Sequence, residues 1–168
     1  MMWTLYEVVL GLGVLVYLPK AVWRRRLPHR GWFMRLGRYP AAVRERLGEG
    51  NAVWIHAVSV GEVMAIQPLI WEVVAHQPDQ LVVLSTVTST GFAVASRLIG
   101  THGVVIYGPL DFRRCVSRAL ETIRPRLLLL VESELWPMLI HMVRRHQIPV
   151  VVVNGRFTRI GWLVTFWP

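Results

Sequence analysis

Five short apolar runs, each followed by a stretch with helical spacing, constrain this chain more than any other feature. They read AVWIHAV (52–58), LVVLSTV (81–87), GVVIY (103–107), LLLLV (127–131) and PVVVVN (149–154). The runs are continuous rather than alternating in polarity, which is the pattern of strands covered on both faces. Between them the apolar period changes to that of a helix. Over 61–76 the stripe is Val63, Ile66, Leu69 or Ile70, and Val73 or Val74. Further helices are expected over 89–99, from Asp111 as a cap to about Ile123, and from Glu134 to His146, with Trp136 and Pro137 in its opening turn. Strands alternating with helices of this length predict βαβ units, an α/β fold and a parallel sheet with flanking helices. A length of 168 residues suits one domain with a substantial core.

Residues 1–50 are of another kind. Hydrophobic residues make up 54% of the chain and its mean hydropathy is +0.42, high for a soluble domain. Part of the excess is MMWTLYEVVLGLGVLVYL (1–18), interrupted by Glu7. Its length is at the lower limit for a helix that spans a bilayer. A cleaved signal peptide carries its cations ahead of the apolar run; here Lys20 and Arg24 to Arg26 come after it. Residues 1–19 are therefore expected to form a membrane anchor, with the chain beyond on the cytoplasmic side; a buried core helix is the alternative. The net charge is +9, and 18 of the 19 basic residues are arginine. Residues 20–50 interleave arginines with Trp23, Trp32, Phe33 and Leu36, which predicts a basic amphipathic segment on an anionic lipid surface. A solvated linker and a nucleic-acid-binding stretch are the other readings of such a composition, and the adjoining apolar run favours lipid. Cys115 is the only cysteine, so no intramolecular disulfide can form.

In open α/β sheets ligands bind at the carboxyl ends of the strands, and several polar residues fall there. Ser59 and Glu62 follow the first run with the S-x-x-E spacing of a capping box, so Glu62 is a helix cap, a catalytic carboxylate, or both. His56, inside the first run, reads as a core histidine. The stretch TVTSTG (86–91) after the second run is either an N-cap or an anion site. Glu132 follows five apolar residues, where a carboxylate is costly unless paired, for instance with Arg156, or used. Asn154 and Arg156 follow the fifth run. The six histidines form no HxH or HExxH pattern, and neither GxxxxGK[ST] nor GxGxxG occurs, so no zinc site and no nucleotide fingerprint is expected.

Four stretches then carry a resemblance. WIHAVSVGE (54–62), LSTVTSTG (84–91), RPRLLLLVESELWP (124–137) and IPVVVVNGR (148–156) resemble, in order and spacing, the N-terminal half of the bacterial 3-deoxy-D-manno-octulosonic acid (Kdo) transferases. The resemblance covers roughly residues 1–158. It implies a Rossmann-like domain, the acceptor-binding half of a GT-B glycosyltransferase, over 51–158. It also implies transfer of Kdo from CMP-Kdo to the lipid A precursor at the cytoplasmic face of the bacterial inner membrane, with inversion and with no metal or other cofactor. Glu62 corresponds to the catalytic base and Glu132 to a second residue needed for activity. Ser59, Gly61, Thr90, Gly91, Asn154 and Arg156 fall on motif positions and are expected to bind substrate. The sequence departs from the pattern at Ser89, where the family often has proline, and after Thr158. Residues 159–168 are a divergent tail, and the donor-binding domain is expected to be missing. A catalytically inactive remnant and another GT-B transferase acting on lipid-linked sugars are the competing expectations.

Overall fold

A computed structural model describes residues 2–23, 31–132 and 136–153, with side chains at the first of these segments through Val16. Five strands form one sheet: β1 (Ala52–His56), β2 (Val82–Thr86), β3 (Gly103–Tyr107), β4 (Pro125–Val131) and β5 (Val150–Val153). Their order is β3-β2-β1-β4-β5 and every pairing is parallel. In this register Val53 to Ile55 lie against Val82 to Leu84, and His56 lies against Leu130. Each strand begins or ends within two residues of the corresponding apolar run. The chain thus folds as the parallel α/β sheet expected from its pattern, which fits the Rossmann-like domain that the resemblance implies.

Eight helices are described: α1 (Met2–Trp23), α2 (Trp32–Arg35), α3 (Ala41–Leu47), α4 (Val60–Ala65), α5 (Gln67–His76), α6 (Ser89–Ile99), α7 (Arg113–Ile123) and α8 (Pro137–Arg145). One apolar cluster joins Trp54, Val83 and Leu128 of the sheet to Val116, Leu120 and Ile123 of α7 and Met138, Leu139 and Val143 of α8. The other joins Val53, Ile55 and Leu84 to Val63, Ile66 and Ile70 and to Ala95 and Ile99. Both sheet faces are therefore covered, which is why the strands read as unbroken apolar runs.

The structure differs from the expected elements in three places. The single helix over 61–76 is two, because Pro68 lacks the N–H that would continue the ladder and lies in the first turn of α5, past a break at Ile66. Asp111 does not cap α7, whose N-cap is Phe112 without a side-chain bond. Its carboxylate instead accepts the backbone N–H groups of Met138 (2.9 Å) and Leu139 (2.8 Å), at the start of α8. Within 31–50, Tyr39 and Leu47 are buried in the α7–α8 cluster, so this stretch packs on the sheet.

Helix α1 also touches the domain. Trp3 stacks on His141 with centroids 3.9 Å apart, the Tyr6 hydroxyl donates to Asp111 at 2.6 Å, and Glu7 accepts from the Arg113 backbone N–H at 2.7 Å. Its other side exposes Met2, Leu5, Val8, Val9, Leu12, Leu15 and Val16. Among the described residues no helix is long and apolar enough to cross a membrane.

Candidate active site at the carboxyl edge of the sheet

The order β3-β2-β1-β4-β5 reverses direction between β1 and β4, and the crevice outside their carboxyl ends is where an open α/β sheet binds ligands. The turn after β1 brings Ser59 and Glu62 to this edge, and the residue after β4 is Glu132.

Ser59 and Glu62 complete a capping box at the start of α4. The Glu62 N–H donates to Ser59 Oγ at 3.4 Å, a long bond. In return Glu62 Oε1 accepts from the Ser59 N–H (3.2 Å) and hydroxyl (2.8 Å), and Oε2 accepts the Val58 N–H at 2.8 Å. Glu62 is only 4% exposed. A carboxylate offers about four acceptor positions, so these three bonds leave one, on Oε2. Gly61 is exposed, and an added Cβ there would meet only Ser59 Oγ, at 3.8 Å. The backbone at this turn is thus open to a neighbouring molecule.

The turn after β2 is fastened to the same place. Thr86 Oγ1 donates to the Val58 carbonyl at 3.0 Å. Thr88 caps α6 by accepting the Gly91 N–H at 3.0 Å, the N-cap alternative of the two the sequence allowed. Thr90 is exposed, its hydroxyl 3.4 Å from that of Thr88. Gly91 is required sterically, since a Cβ would lie 2.5 Å from Thr86 Oγ1 and 2.8 Å from Thr88 Oγ1.

Glu132 is not inside a buried strand, as its apolar neighbours suggested. It lies one residue beyond β4, partly exposed, with φ +63°. Its N–H donates to the Val153 carbonyl at 2.9 Å, which keeps β4 and β5 paired to the edge. A left-handed glutamate is an uncommon, strained conformation of the kind that collects at functional sites. Asn154 and Arg156, and with them the expected pairing of Arg156 with Glu132, lie outside the described residues, as do Arg24 to Arg26.

His56 is a core residue, only half satisfied. Its Nδ1 is 2.7 Å from Ser85 Oγ, which also accepts the Trp54 indole N–H at 2.7 Å; its Nε2 is buried without a partner. The ring stands edge-on to Trp136, centroids 5.1 Å apart, and backs onto Gly108, where a Cβ would come within 2.6 Å of Cε1. Burial first, then the Arg35 guanidinium, lower its pKa to about 4, so it is neutral at pH 7. Arg35 Nε and Trp136 Nε1 are also buried without partners. Both line a cavity of about 480 Å³ walled by Tyr6, Leu10 and Val14 of α1 and by Asp111. Sequence reasoning assigned none of these a place at the edge. Arg35 and Tyr6 reach it from segments read as membrane-facing, and no local spacing signals that.

Residues 30–160 match the family model described as 3-deoxy-D-manno-octulosonic-acid transferase (kdotransferase). The 3-deoxy-D-manno-octulosonic acid transferase of Haemophilus influenzae is 35% identical over 129 residues, 72% of this chain and 30% of that protein. The enzyme of the same name from Bordetella pertussis is 34% identical over 168 residues, 91% of this chain and 38% of that protein. A probable mitochondrial 3-deoxy-D-manno-octulosonic acid transferase of Arabidopsis thaliana is 32% identical over 151 residues, 88% of this chain and 33% of that protein. The chain therefore spans between 30% and 38% of the length of these curated relatives.

Proposed function

The chain belongs to the 3-deoxy-D-manno-octulosonic acid transferase family of glycosyltransferases, and we propose that it is the acceptor-binding half of such an enzyme. It would transfer Kdo from CMP-Kdo to a lipid A precursor at the cytoplasmic face of the bacterial inner membrane. A second domain that binds the donor, outside these 168 residues, would complete the crevice. The observation that carries this reading is the placement of Glu62 and Glu132 just past the carboxyl ends of β1 and β4, the two strands that flank the reversal point of the sheet.

Under it, an acceptor hydroxyl hydrogen-bonds the remaining position on Glu62 Oε2. As its oxygen attacks the anomeric carbon of Kdo, the proton passes to the carboxylate. The bond from that carbon to the phosphate of CMP breaks, CMP leaves with the electron pair, and the centre inverts. Gly61 leaves room for the approaching sugar, and Ser59 holds the carboxylate. Thr90, Gly91, Asn154 and Arg156 are the proposed substrate-contacting residues, and Glu132 is the second acid at the crevice. The cavity beside α1 has an apolar wall and two unpartnered N–H groups, which suits an acceptor with both acyl chains and oxygen-rich groups. The exposed apolar side of α1 supports membrane attachment.

The three bonds already on Glu62 favour a second reading, in which it is a cap alone. A chimera continuing from residue 158 with the remainder of the Bordetella pertussis enzyme separates the two. A base at Glu62 predicts that Glu62→Ala loses at least about a hundredfold in transfer from CMP-Kdo while the domain stays folded. Near-normal transfer by that variant would leave Glu62 a cap.

A further inference from the structure

A second cavity, of about 300 Å³, sits against α7 and α8 and shares no lining residue with the cavity beside Arg35 and Trp136. It is lined by Arg113, His141, Met142, Arg145 and His146. Four of the five are cationic or can become so. The one side-chain ion pair among the described residues is His76–Glu72, so neither arginine has a carboxylate partner among them. Glu7 adjoins this cluster, and its Oε1 is engaged by the Arg113 backbone N–H. Burial first, then Arg145 and Arg113, lowers the His141 pKa, so the cavity repels a further positive charge. His141, one of the lining residues, stacks on Trp3 at the start of α1, a helix that turns Met2, Leu5 and Val9 outward.

We propose that this cavity binds the phosphate of an anionic phospholipid headgroup while the outer side of α1 seats among the acyl chains. Two guanidiniums from different helices suit a phosphate, which accepts several directed N–H bonds. The adjoining apolar helix favours a phosphate carried by lipid over one free in solution. Helix α1 would then lie in the interface, its polar side held by Asp111 and the Arg113 amide. The inference rests on the membrane part of the proposed function and is independent of Glu62.

Flotation of the full chain with vesicles tests it. Wild type should bind vesicles of phosphatidylcholine with phosphatidylglycerol more tightly than phosphatidylcholine alone. The double variant Arg113→Gln, Arg145→Gln should lose about thirtyfold of the binding to the anionic vesicles, roughly fivefold per arginine, and none of the binding to the neutral ones. The charge-matched control Arg97→Gln, Arg126→Gln, placed on other parts of the surface, should bind as wild type. Inorganic phosphate at millimolar concentration should compete weakly; displacement of the wild type from vesicles at micromolar phosphate would overturn the lipid source in favour of a soluble ligand. Equal losses in both double variants, or no loss in the first, would overturn the site. Failure of the wild type to float on any vesicle would overturn the membrane reading and the site with it.

Discussion

Folding should weaken in mild acid because of one buried imidazole. The His56 pKa is lowered from 6.5 to about 4 in the folded chain, first by burial and then by Arg35. A lowered histidine pKa means that the unfolded chain takes up a proton that the folded chain refuses. Stability is therefore complete above pH 6.5 and falls as the pH drops towards 4. At pH 5 the unfolded histidine is about 97% protonated and the folded one about 10%, which corresponds to a loss of about 2 kcal/mol between pH 7 and pH 5. Urea unfolding of the full chain in nonionic detergent, followed by tryptophan fluorescence at the two pH values, reads this as a midpoint shift of about 1 M. The reference is His56→Phe, which keeps a ring edge-on to Trp136 and leaves the Trp54 indole on Ser85. Its absolute stability will change, because the ring backs onto Gly108; the quantity compared is the change between the two pH values. That change should shrink by about 2 kcal/mol in the variant. An undiminished pH dependence in His56→Phe would refute the argument, since it would mean that His56 takes up its proton without unfolding.

Three further outcomes follow from the geometry. Asp111→Ala strips the partner from two amides at the start of α8 and from the Tyr6 hydroxyl, and should cost about 3 kcal/mol, while Tyr6→Phe should cost about 1; hydrogen exchange at Met138 and Leu139 should accelerate in the first far more than in the second. Gly91→Ala places a methyl against Thr86 Oγ1 and should cost about 1–3 kcal/mol in chemical denaturation, with Val58, the carbonyl partner of Thr86, showing the largest amide shift outside α6. Glu132→Gly relieves a left-handed non-glycine residue and should stabilise the fold by about 1 kcal/mol, yet transfer by the chimera should be lost; a stabilised and fully active variant would remove Glu132 from the proposed site.

The strands were legible because each is buried on both faces, and continuous Val, Ile and Leu leave little room for another assignment. The Ser59–Glu62 box was legible for a different reason: its partners lie three residues apart, so spacing specifies the contact, whereas TVTSTG left an N-cap and an anion site open and the structure puts the cap at Thr88. What spacing did not show is contact across the fold. Asp111 was assigned to the helix next to it in sequence, yet its partners are 27 and 28 residues away on α8, with Tyr6 105 residues away. Glu132 was placed in a buried environment by its neighbours, whereas one left-handed residue turns the chain out of the sheet just there. Tyr39 and Leu47 stand in an arginine-rich stretch whose composition reads as surface, but their side chains fill the α7–α8 cluster.

The two acids at the reversal point share a property that bears on the chemistry. Neither is set in place by a cation: the Glu62 carboxylate is held by three N–H and O–H donors, and the Glu132 backbone by a left-handed turn bonded to Val153. Among the described residues neither carboxylate has an ion-pair partner. Fixing a glutamate in advance removes up to about 2 kcal/mol of side-chain entropy that would otherwise be lost when substrate binds. A cation would fix it equally well but would cancel its field. Under the proposed reading that field is needed, because breaking the bond from a sugar's anomeric carbon to its leaving group develops positive charge on the sugar. Holding Glu62 with the two amides and the hydroxyl of the turn just before its helix therefore suits a catalytic role: it sets the position of the carboxylate without a cation and leaves one acceptor site on Oε2 for the incoming hydroxyl.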